Sequence, residues 1–166
     1  MSDTHGAANA PSGERAQASK PGPSLKARAL KLLSMREHTR LELERKLRAH
    51  AETPEQLSQA LDALQAKGFI NEARVVESVL HRRAARLGAS RVRQELQAKG
   101  VADVAIAEAV EHLRSTELAR AREVWEKKFG APAQDAKERA KQIRFLISRG
   151  FGAEVVRRVV AGADDA

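Results

Sequence analysis

The 166-residue chain contains no cysteine and no tyrosine, and its other aromatic residues are one tryptophan and four phenylalanines. The lack of cysteine excludes disulfides and thiolate metal sites, and it fits a reducing compartment, so we expect a cytoplasmic protein. No apolar run reaches membrane-spanning length, and the N-terminal MSDTHGAANA lacks the basic start and apolar stretch of a secretory signal. With so few aromatic residues, any core must be built from Leu, Val, Ile and Ala.

The residues that dominate the chain, Ala, Leu, Arg, Glu, Lys and Gln, are strong helix formers, and they predict an all-α fold. The net charge is +8, and residues 1–24 contribute none of it. A basic folded part favours an acidic partner, either nucleic acid or an acidic protein face. The alternative interpretation is that the charge serves solubility alone.

The pentapeptide LQAKG occurs twice, at 64–68 and 96–100, and LISRG at 146–150 is a degenerate third copy. An apolar residue follows each copy. A glycine just past a helix end adopts the left-handed conformation, and the apolar residue after it folds back onto the last turn. We therefore interpret Gly68, Gly100 and Gly150 as helix stops rather than ligand sites. The pattern predicts three contacts: Leu64–Phe69, Leu96–Val101 and Leu146–Phe151.

Helix starts are marked by polar side chains. Thr39 and Thr53 each begin a capping-box pattern, and Asn71, Asp103 and Asp135 are further candidate N-caps. Between starts and stops, apolar residues keep helical spacing. The predicted helices are 25–37, 40–49, 54–67, 72–87, 90–99, 104–113, 116–129, 136–149 and 153–160.

A repeat emerges from these helices, because the second helix of each triplet ends near His50, Gly100 and Gly150. We predict three tandem three-helix units with a period of about 50 residues, over 25–70, 71–114 and 115–162. Residues 1–24 hold three of the five prolines and almost no large apolar side chain. That composition predicts a disordered N-terminal tail.

Enzyme motifs are missing: the chain has no GxxxxGK[S/T], GxGxxG or HExxH sequence, and its five histidines do not pair at metal-ligand spacing. We expect no catalytic residue, no metal and no cofactor.

The most informative basic segment runs from His81 to Arg93 and contains no acidic residue. On the predicted helix 72–87, Arg83 falls near the middle of the apolar stripe. It must then be paired, or extend its head to solvent, or lie where the chain does not cover the helix. A solvated face is the alternative to a partner-binding role. The candidate partner-binding residues here are Arg82, Arg83, Arg86, Arg91 and Arg93.

A second basic group lies on the predicted helix 136–149, where Phe145 points away from the main apolar face. An aromatic ring among cations could stack on a nucleic-acid base. Packing against a second neighbour is the favoured interpretation, since a middle helix lies between two others. The candidate partner- or DNA-binding residues of this group are Lys137, Arg139, Lys141 and Arg144.

Several stretches, in order, resemble the bacterial regulatory protein RecX family. They are Ala29-Leu30-x-x-Leu33-x-x-Arg36, then Thr39-x-x-Glu42-Leu43-x-x-Lys46-Leu47, then Leu64-x-x-Lys67-Gly68-Phe69-Ile70-Asn71-Glu72, then RRAARLG at 82–88, then Val92-x-x-Glu95-Leu96-x-x-Lys99-Gly100-Val101, and finally Phe145-Leu146-x-x-Arg149-Gly150-Phe151. The resemblance covers residues 25 to about 160.

This resemblance implies three tandem three-helix repeats in an elongated, curved, right-handed-type helical repeat array. It also implies a regulator that binds the RecA recombinase and its single-stranded DNA filament, and that lowers the ATPase, strand-exchange and coprotease activities. Separately from the resemblance, we expect a monomer. Such a protein would modulate recombinational repair and the SOS response. Bare DNA is a further implied partner. The alternatives are a helix-turn-helix-like DNA-binding protein and a helical scaffold that binds only protein.

Overall fold

The computed structural model describes residues 22–162, and all the helices predicted above are found there, with no strand in that range. The all-α prediction is therefore confirmed. Of the predicted tail, residues 1–21 lie outside the described residues. The helices are α1 (Leu25–Met35), α2 (Arg40–Leu47, followed by a 3₁₀ turn over Arg48–His50), α3 (Pro54–Ala66), α4 (Glu72–Arg83), α5 (Ala89–Ala98), α6 (Asp103–Arg114), α7 (Glu117–Lys128), α8 (Ala136–Ser148) and α9 (Ala153–Val160).

Three of the predicted helix starts are confirmed in detail. Thr39 caps α2 in a complete capping box: its hydroxyl accepts from the N–H of Glu42 at 3.1 Å, and the Glu42 carboxylate accepts from the Thr39 N–H at 2.9 Å. Asn71 caps α4 and Asp135 caps α8, each accepting a backbone N–H three residues on. These side chains satisfy donors that a helix start otherwise leaves without a partner.

Two predicted starts need correction. Thr53 caps α3, but the side chain of Gln56 accepts from the N–H of Glu52 instead of closing the box on Thr53. Asp103 is not an N-cap, because the cap of α6 is Ala102 and Asp103 is the first helical residue. The carboxylate of Asp103 still lies in the first turn, where the helix dipole favours a negative charge.

The fourth helix ends at Arg83, earlier than predicted, because tertiary contacts take the groups that would extend it. The carbonyl of Ala84 accepts from the side chain of Arg120 at 2.8 Å, and the N–H of Gly88 donates to the carbonyl of Arg149 at 2.8 Å. The helical bond between Ala84 and Gly88 is therefore not made. The segment after Arg83 is a turn that joins α4 to α5.

Each helix triplet encloses a small apolar core of its own. The cores are centred on Leu43 and Leu61 for α1–α3, on Val92 and Leu96 for α4–α6, and on Leu146 and Val156 for α7–α9. These three cores confirm the helical repeat architecture, while elongation and curvature stay predictions. Among residues 22–162, no helix has the length and apolar content needed to cross a membrane.

Candidate functional site

The three glycine helix stops are confirmed. Gly68, Gly100 and Gly150 have φ of 80°, 77° and 86°, in the left-handed region that favours glycine. In each case the N–H of the following residue donates to the carbonyl of the leucine that opens the motif, at 3.0 to 3.3 Å. The side chains that follow Gly100 and Gly150 are buried, whereas that of Phe69, after Gly68, is 45% exposed. At the first stop, Phe69 therefore meets Leu64 through the backbone hydrogen bond, while its aromatic ring stays half-exposed.

The two LQAKG copies have different surroundings. A Cβ placed on Gly68 would meet nothing within 4 Å, so no other helix is pressed against the first copy at this glycine. A Cβ on Gly100 would lie 2.5 Å from the side chain of Leu41, because the end of α5 is pressed against the start of α2. Two further bonds tie this end to α2: the Thr39 hydroxyl donates to the carbonyl of Lys99, and Arg45 donates to that of Ala98 at 3.1 Å. We call this contact the first joint.

The same contact recurs one repeat later. The end of α8 is pressed against the start of α5, where the N–H of Gly88 donates to the carbonyl of Arg149 at 2.8 Å and the N–H of Ser90 donates to that of Gly150 at 3.3 Å. A Cβ on Gly150 would lie 2.6 Å from the backbone nitrogen of Arg91, so no larger residue fits. We call this contact the second joint. In both joints, the glycine stop of one middle helix seats on the start of the preceding middle helix.

The first joint is centred on Glu42, whose side chain is 12% exposed. Its carboxylate accepts from Arg36 at 3.0 Å and from Lys99 at 2.9 Å, in addition to the Thr39 N–H. Burial alone would raise the pKa of Glu42, but the hydrogen bonds from Arg36, Lys99 and the Thr39 backbone, with the charge of Lys99, lower it to about 2. The joint therefore depends on a charged carboxylate between two cations.

His38 lies beside this network and is 1% exposed. Its Nδ1 is 3.0 Å from the carbonyl of Arg36 and its Nε2 is 3.2 Å from the Nζ of Lys46. The ring therefore donates from Nδ1 and accepts at Nε2, which makes it neutral. Burial lowers the pKa of His38, and the positive charges of Arg36 and Lys46 lower it further against the opposing bond to the carbonyl.

The arginines of the 81–93 segment are all exposed, but the structure does not gather them into one patch. Arg83 is paired, with its Nε 3.1 Å from the carboxylate of Glu95, which answers the question raised by its position on α4. Arg83 and Arg91 line one surface depression, while Arg93 lines another, beside Arg114. The remaining two lie at the end of α4: Arg82 donates to the carbonyl of Ser78, and Arg86 is in the turn that follows.

Of these five arginines, only Arg83 forms a salt bridge with any residue between 22 and 162. Residues 22–162 carry 28 Lys and Arg against 18 Asp and Glu. Since charge-assisted bonds are the strong ones that arginine makes, unpaired guanidinium groups at a surface are available to carboxylates or phosphates of a partner.

The basic residues of α8 divide in a similar way. Lys137, Lys141 and Arg144 line one depression along the helix, as expected for residues four and then three apart, and they share it with Asp135 and Glu138. Arg139 is exposed but is not part of that depression. Three of the four predicted residues therefore form a row, and the fourth lies apart from it.

Phe145 packs rather than standing free. Its ring makes an edge contact with Phe129 at 5.4 Å between centroids, and Lys128 and Arg149 lie 5.4 and 5.0 Å from the ring centre. Trp125 is partly buried against the third core, and its indole N–H donates to the buried side chain of Gln142 at 2.9 Å. Within the described part of the chain, no group of three His, Asp or Glu side chains is placed to hold a metal ion.

Sequence patterns did not point to the joint residues. Glu42 was predicted as part of a capping box and of the family resemblance, but no role in a contact between units was predicted for Glu42, Arg36 or His38. Gly88 offered a hint, since a glycine directly before a helix without a capping side chain indicates close approach of another backbone.

Comparison with known proteins fits this architecture. Residues 71–110 match the model of the second three-helix domain of RecX, and residues 115–160 match that of the third. The chain is 54% identical to the regulatory protein RecX of Leptothrix cholodnii over 145 residues, covering 87% of this chain and 92% of that protein. It is 49% identical to the regulatory protein RecX of Ralstonia nicotianae over 141 residues, covering 85% and 89%.

The fold is also found in solved structures. A crystal structure of RecX from Lactobacillus salivarius superimposes with a TM-score of 0.70 at 20% identity, covering 82% of this chain and 92% of that one. A second RecX crystal structure gives a TM-score of 0.69 at 19% identity, covering 83% and 72%. Matches over most of the chain, at up to 54% identity and with the repeat units in order, show that it belongs to the RecX family of regulatory proteins.

Proposed function

We propose that this protein binds RecA and the RecA filament on single-stranded DNA and inhibits its recombinase, ATPase and coprotease activities. It would thereby modulate recombinational repair and the SOS response. The observation that carries this proposal is the 54% identity, over nearly the whole chain, to a protein named regulatory protein RecX. We further propose that it acts in the cytoplasm as a monomer, without catalytic activity of its own and without a cofactor.

The surface supports a partner that bears negative charge. A recombinase filament on DNA offers two kinds of such groups, acidic side chains of the protein and phosphates of the DNA. Arg82 and Arg86 are exposed and make no salt bridge with residues 22–162, so they are free to bind either group. We assign them the main role in the middle unit, and we assign Arg91 and Arg93 supporting contacts on two different faces.

The row on α8 supplies a second contact region. Because α8 ends at the second joint, against the start of α5, Lys137 lies about 20 Å along the helix axis from the Arg91 region. Contacts at both regions would let one copy reach more than one site on a repetitive filament. Two separated basic regions fit such an extended ligand better than the single recognition helix of a helix-turn-helix protein.

The direct test is a titration of single-stranded-DNA-dependent ATP hydrolysis by RecA. Inhibition at far fewer copies than one per RecA would support control of filament growth, and inhibition only near equal amounts would support coating of the filament. If ATP hydrolysis is unaffected while the protein binds bare DNA tightly, the proposal fails. A preference for one duplex sequence would then favour the helix-turn-helix-like alternative.

The binding residues are tested by the double variant Arg82→Glu, Arg86→Glu. Arg83 is left unchanged because a glutamate there would face the carboxylate of Glu95 and disturb the fold. We expect the double variant to lose inhibition while its helix content is unchanged. The matched control is Lys26→Glu, Lys31→Glu, which makes the same charge change at exposed positions of α1. Full inhibition by the folded double variant would refute the assignment.

A further inference from the structure

The first turn of α7 reaches out of its own unit and into the middle one. Glu117 is 8% exposed, and its Oε1 accepts from the N–H of Ala89 at 2.9 Å. Gly88, at the N-cap of α5, has no side chain to satisfy that donor, and no capping bond is made by it. Glu117 therefore acts as the missing cap, and it places a negative charge at the positive end of the α5 dipole.

Arg120, one turn further along α7, binds the segment that joins α4 to α5. Its Nη1 donates to the carbonyls of Ala84 at 2.8 Å and Leu87 at 2.6 Å, and its Nη2 donates to the carbonyl of Leu113 at 2.9 Å. The guanidinium also lies 6.0 Å from the ring centre of Phe151. Burial lowers the pKa of Arg120, while the charge of Glu117 opposes that shift.

These two side chains hold the segment from 84 to 88, which joins α4 to α5. Arg82 and Arg83 immediately precede this turn, Arg86 is in it, and Arg91 follows it in the first turn of α5. Within the turn, the N–H groups of Arg86 and Leu87 both donate to the carbonyl of Arg83 at 2.9 Å. Since residues 84–86 are in neither helix, the conformation of the turn depends on its hydrogen bonds to side chains of α7.

We propose that Glu117 and Arg120 are positioning residues, which fix the 84–88 turn so that the unpaired arginines around it present one arrangement to the partner. This inference rests on the proposed function, since it assumes that Arg82 and Arg86 bind the partner. Under this proposal, two residues of the third unit help the middle unit to bind the partner. Neither residue touches the partner.

The first test separates the effect of the Arg120 hydrogen bonds from the effect of losing one positive charge on α7. Arg120→Met removes the donors and keeps an unbranched side chain, and Arg122→Met is the matched control, because Arg122 is exposed on the same helix and donates no hydrogen bond to a residue within 22–162. Hydrogen exchange should become faster at the amides of residues 86 to 89 in the Arg120 variant and not in the control. Inhibition of RecA ATP hydrolysis on poly(dT) should weaken about tenfold in the Arg120 variant only.

The second test asks whether Arg120 acts through the arginines. In a double-mutant cycle, Arg120→Met is combined with Arg82→Gln, Arg86→Gln. If Arg120 positions those side chains, Arg120→Met should weaken inhibition little further once both arginines have been replaced. If Arg120→Met only lowers the stability of the protein, its effect on inhibition should add in full to that of the arginine replacements. Glu117→Ala, which removes the cap of α5, provides a second variant with the same expectation if Arg120→Met folds poorly.

The outcomes are distinguishable. If Arg82→Gln, Arg86→Gln leaves inhibition intact, both the assigned binding surface and the positioning role fail. If that variant loses inhibition while Arg120→Met and Glu117→Ala behave like Arg122→Met, the binding surface stands and the positioning role is overturned. Additive effects in the cycle would also overturn the positioning role.

Discussion

Gly88 and Gly150 meet backbone to backbone across the second joint, where neither position can carry a side chain. The N–H of Gly88 donates to the carbonyl of Arg149 at 2.8 Å, and a Cβ on Gly88 would overlap the carbonyl group of Gly150. A glycine that ends α8 thus rests on a glycine that begins α5. The glycine that ends α8 therefore also forms the contact that holds the third unit against the second.

The glycine stops should respond differently to alanine. Gly68→Ala should cost about 1 kcal/mol, the usual penalty for an alanine held in the left-handed region, because open space surrounds Gly68. Gly150→Ala should cost at least about 2 kcal/mol more, since the new methyl group overlaps Arg91 as well. Urea unfolding followed by circular dichroism measures both. Equal losses would contradict the assignment of Gly150 to a joint.

Acid should weaken the first joint through Glu42. Its pKa is about 2 in the folded protein against 4.5 for the unperturbed group, so its charged form stabilises the fold. The contribution is fully present above pH 4.5 and is lost as the pH falls toward 2. We expect a loss on the order of 2 to 3 kcal/mol in the free energy of unfolding across that window.

The variant Glu42→Gln isolates this contribution. It keeps the shape of the side chain but removes the charge between Arg36 and Lys99, so it should be less stable than the parent at pH 7 and should lose less on acidification. Glu52→Gln, at an exposed position with no salt bridge to residues 22–162, is the matched control. Parallel pH profiles for the parent and Glu42→Gln would contradict the prediction.

His38 should also make the protein sensitive to mild acid. Because burial lowers its pKa from 6.5, the unfolded chain takes up this proton more readily than the folded one. Stability is therefore unaffected above pH 6.5 and falls as the pH drops below that value toward the folded pKa. Titration of the ring by NMR should place its midpoint below 6.5, and a midpoint at or above 6.5 would show the prediction to be wrong.

The α8 row should control the salt dependence of DNA binding. If Lys137, Lys141 and Arg144 contact phosphates, replacing all three by glutamine should reduce the slope of log K against log salt by about 2 for single-stranded DNA. Arg139→Gln, outside the row, should change it less. Anisotropy of a labelled dT oligonucleotide over a range of NaCl concentrations measures both slopes. An unchanged slope in the triple variant would exclude phosphate contacts by this row.

Local chemistry made most of the fold predictable. Helix starts such as Thr39 and Asn71 and stops such as Gly100 act within a few residues of the chain, so their hydrogen bonds follow from the sequence. The regular spacing of the second-helix ends, near His50, Gly100 and Gly150, also indicated a three-unit repeat. The family resemblance then rested on the order of the same local signals.

Contacts between distant segments were not predictable in the same way. The early end of α4 depends on Arg120 and Arg149, which lie far along the chain and compete with ordinary helical hydrogen bonds. The second role of Glu42 depends on Lys99, which only the first joint brings near. The five arginines looked like one cluster in sequence, yet Arg93 faces a different depression from Arg91, because side chains two residues apart on a helix point in nearly opposite directions.

The three separate cores have a consequence for the order in which the units of the protein unfold. Each core is closed by its own helices, and the contacts between neighbouring units include the two joints, the first turn of α7 and the ion pair of Arg74 with Glu37. In such a linear array, cooperativity is limited to nearest neighbours, and the ends fray before the centre. The middle unit, braced from both sides, should open last. Thus the arginines proposed to bind the partner belong to the unit that persists longest when the protein begins to unfold.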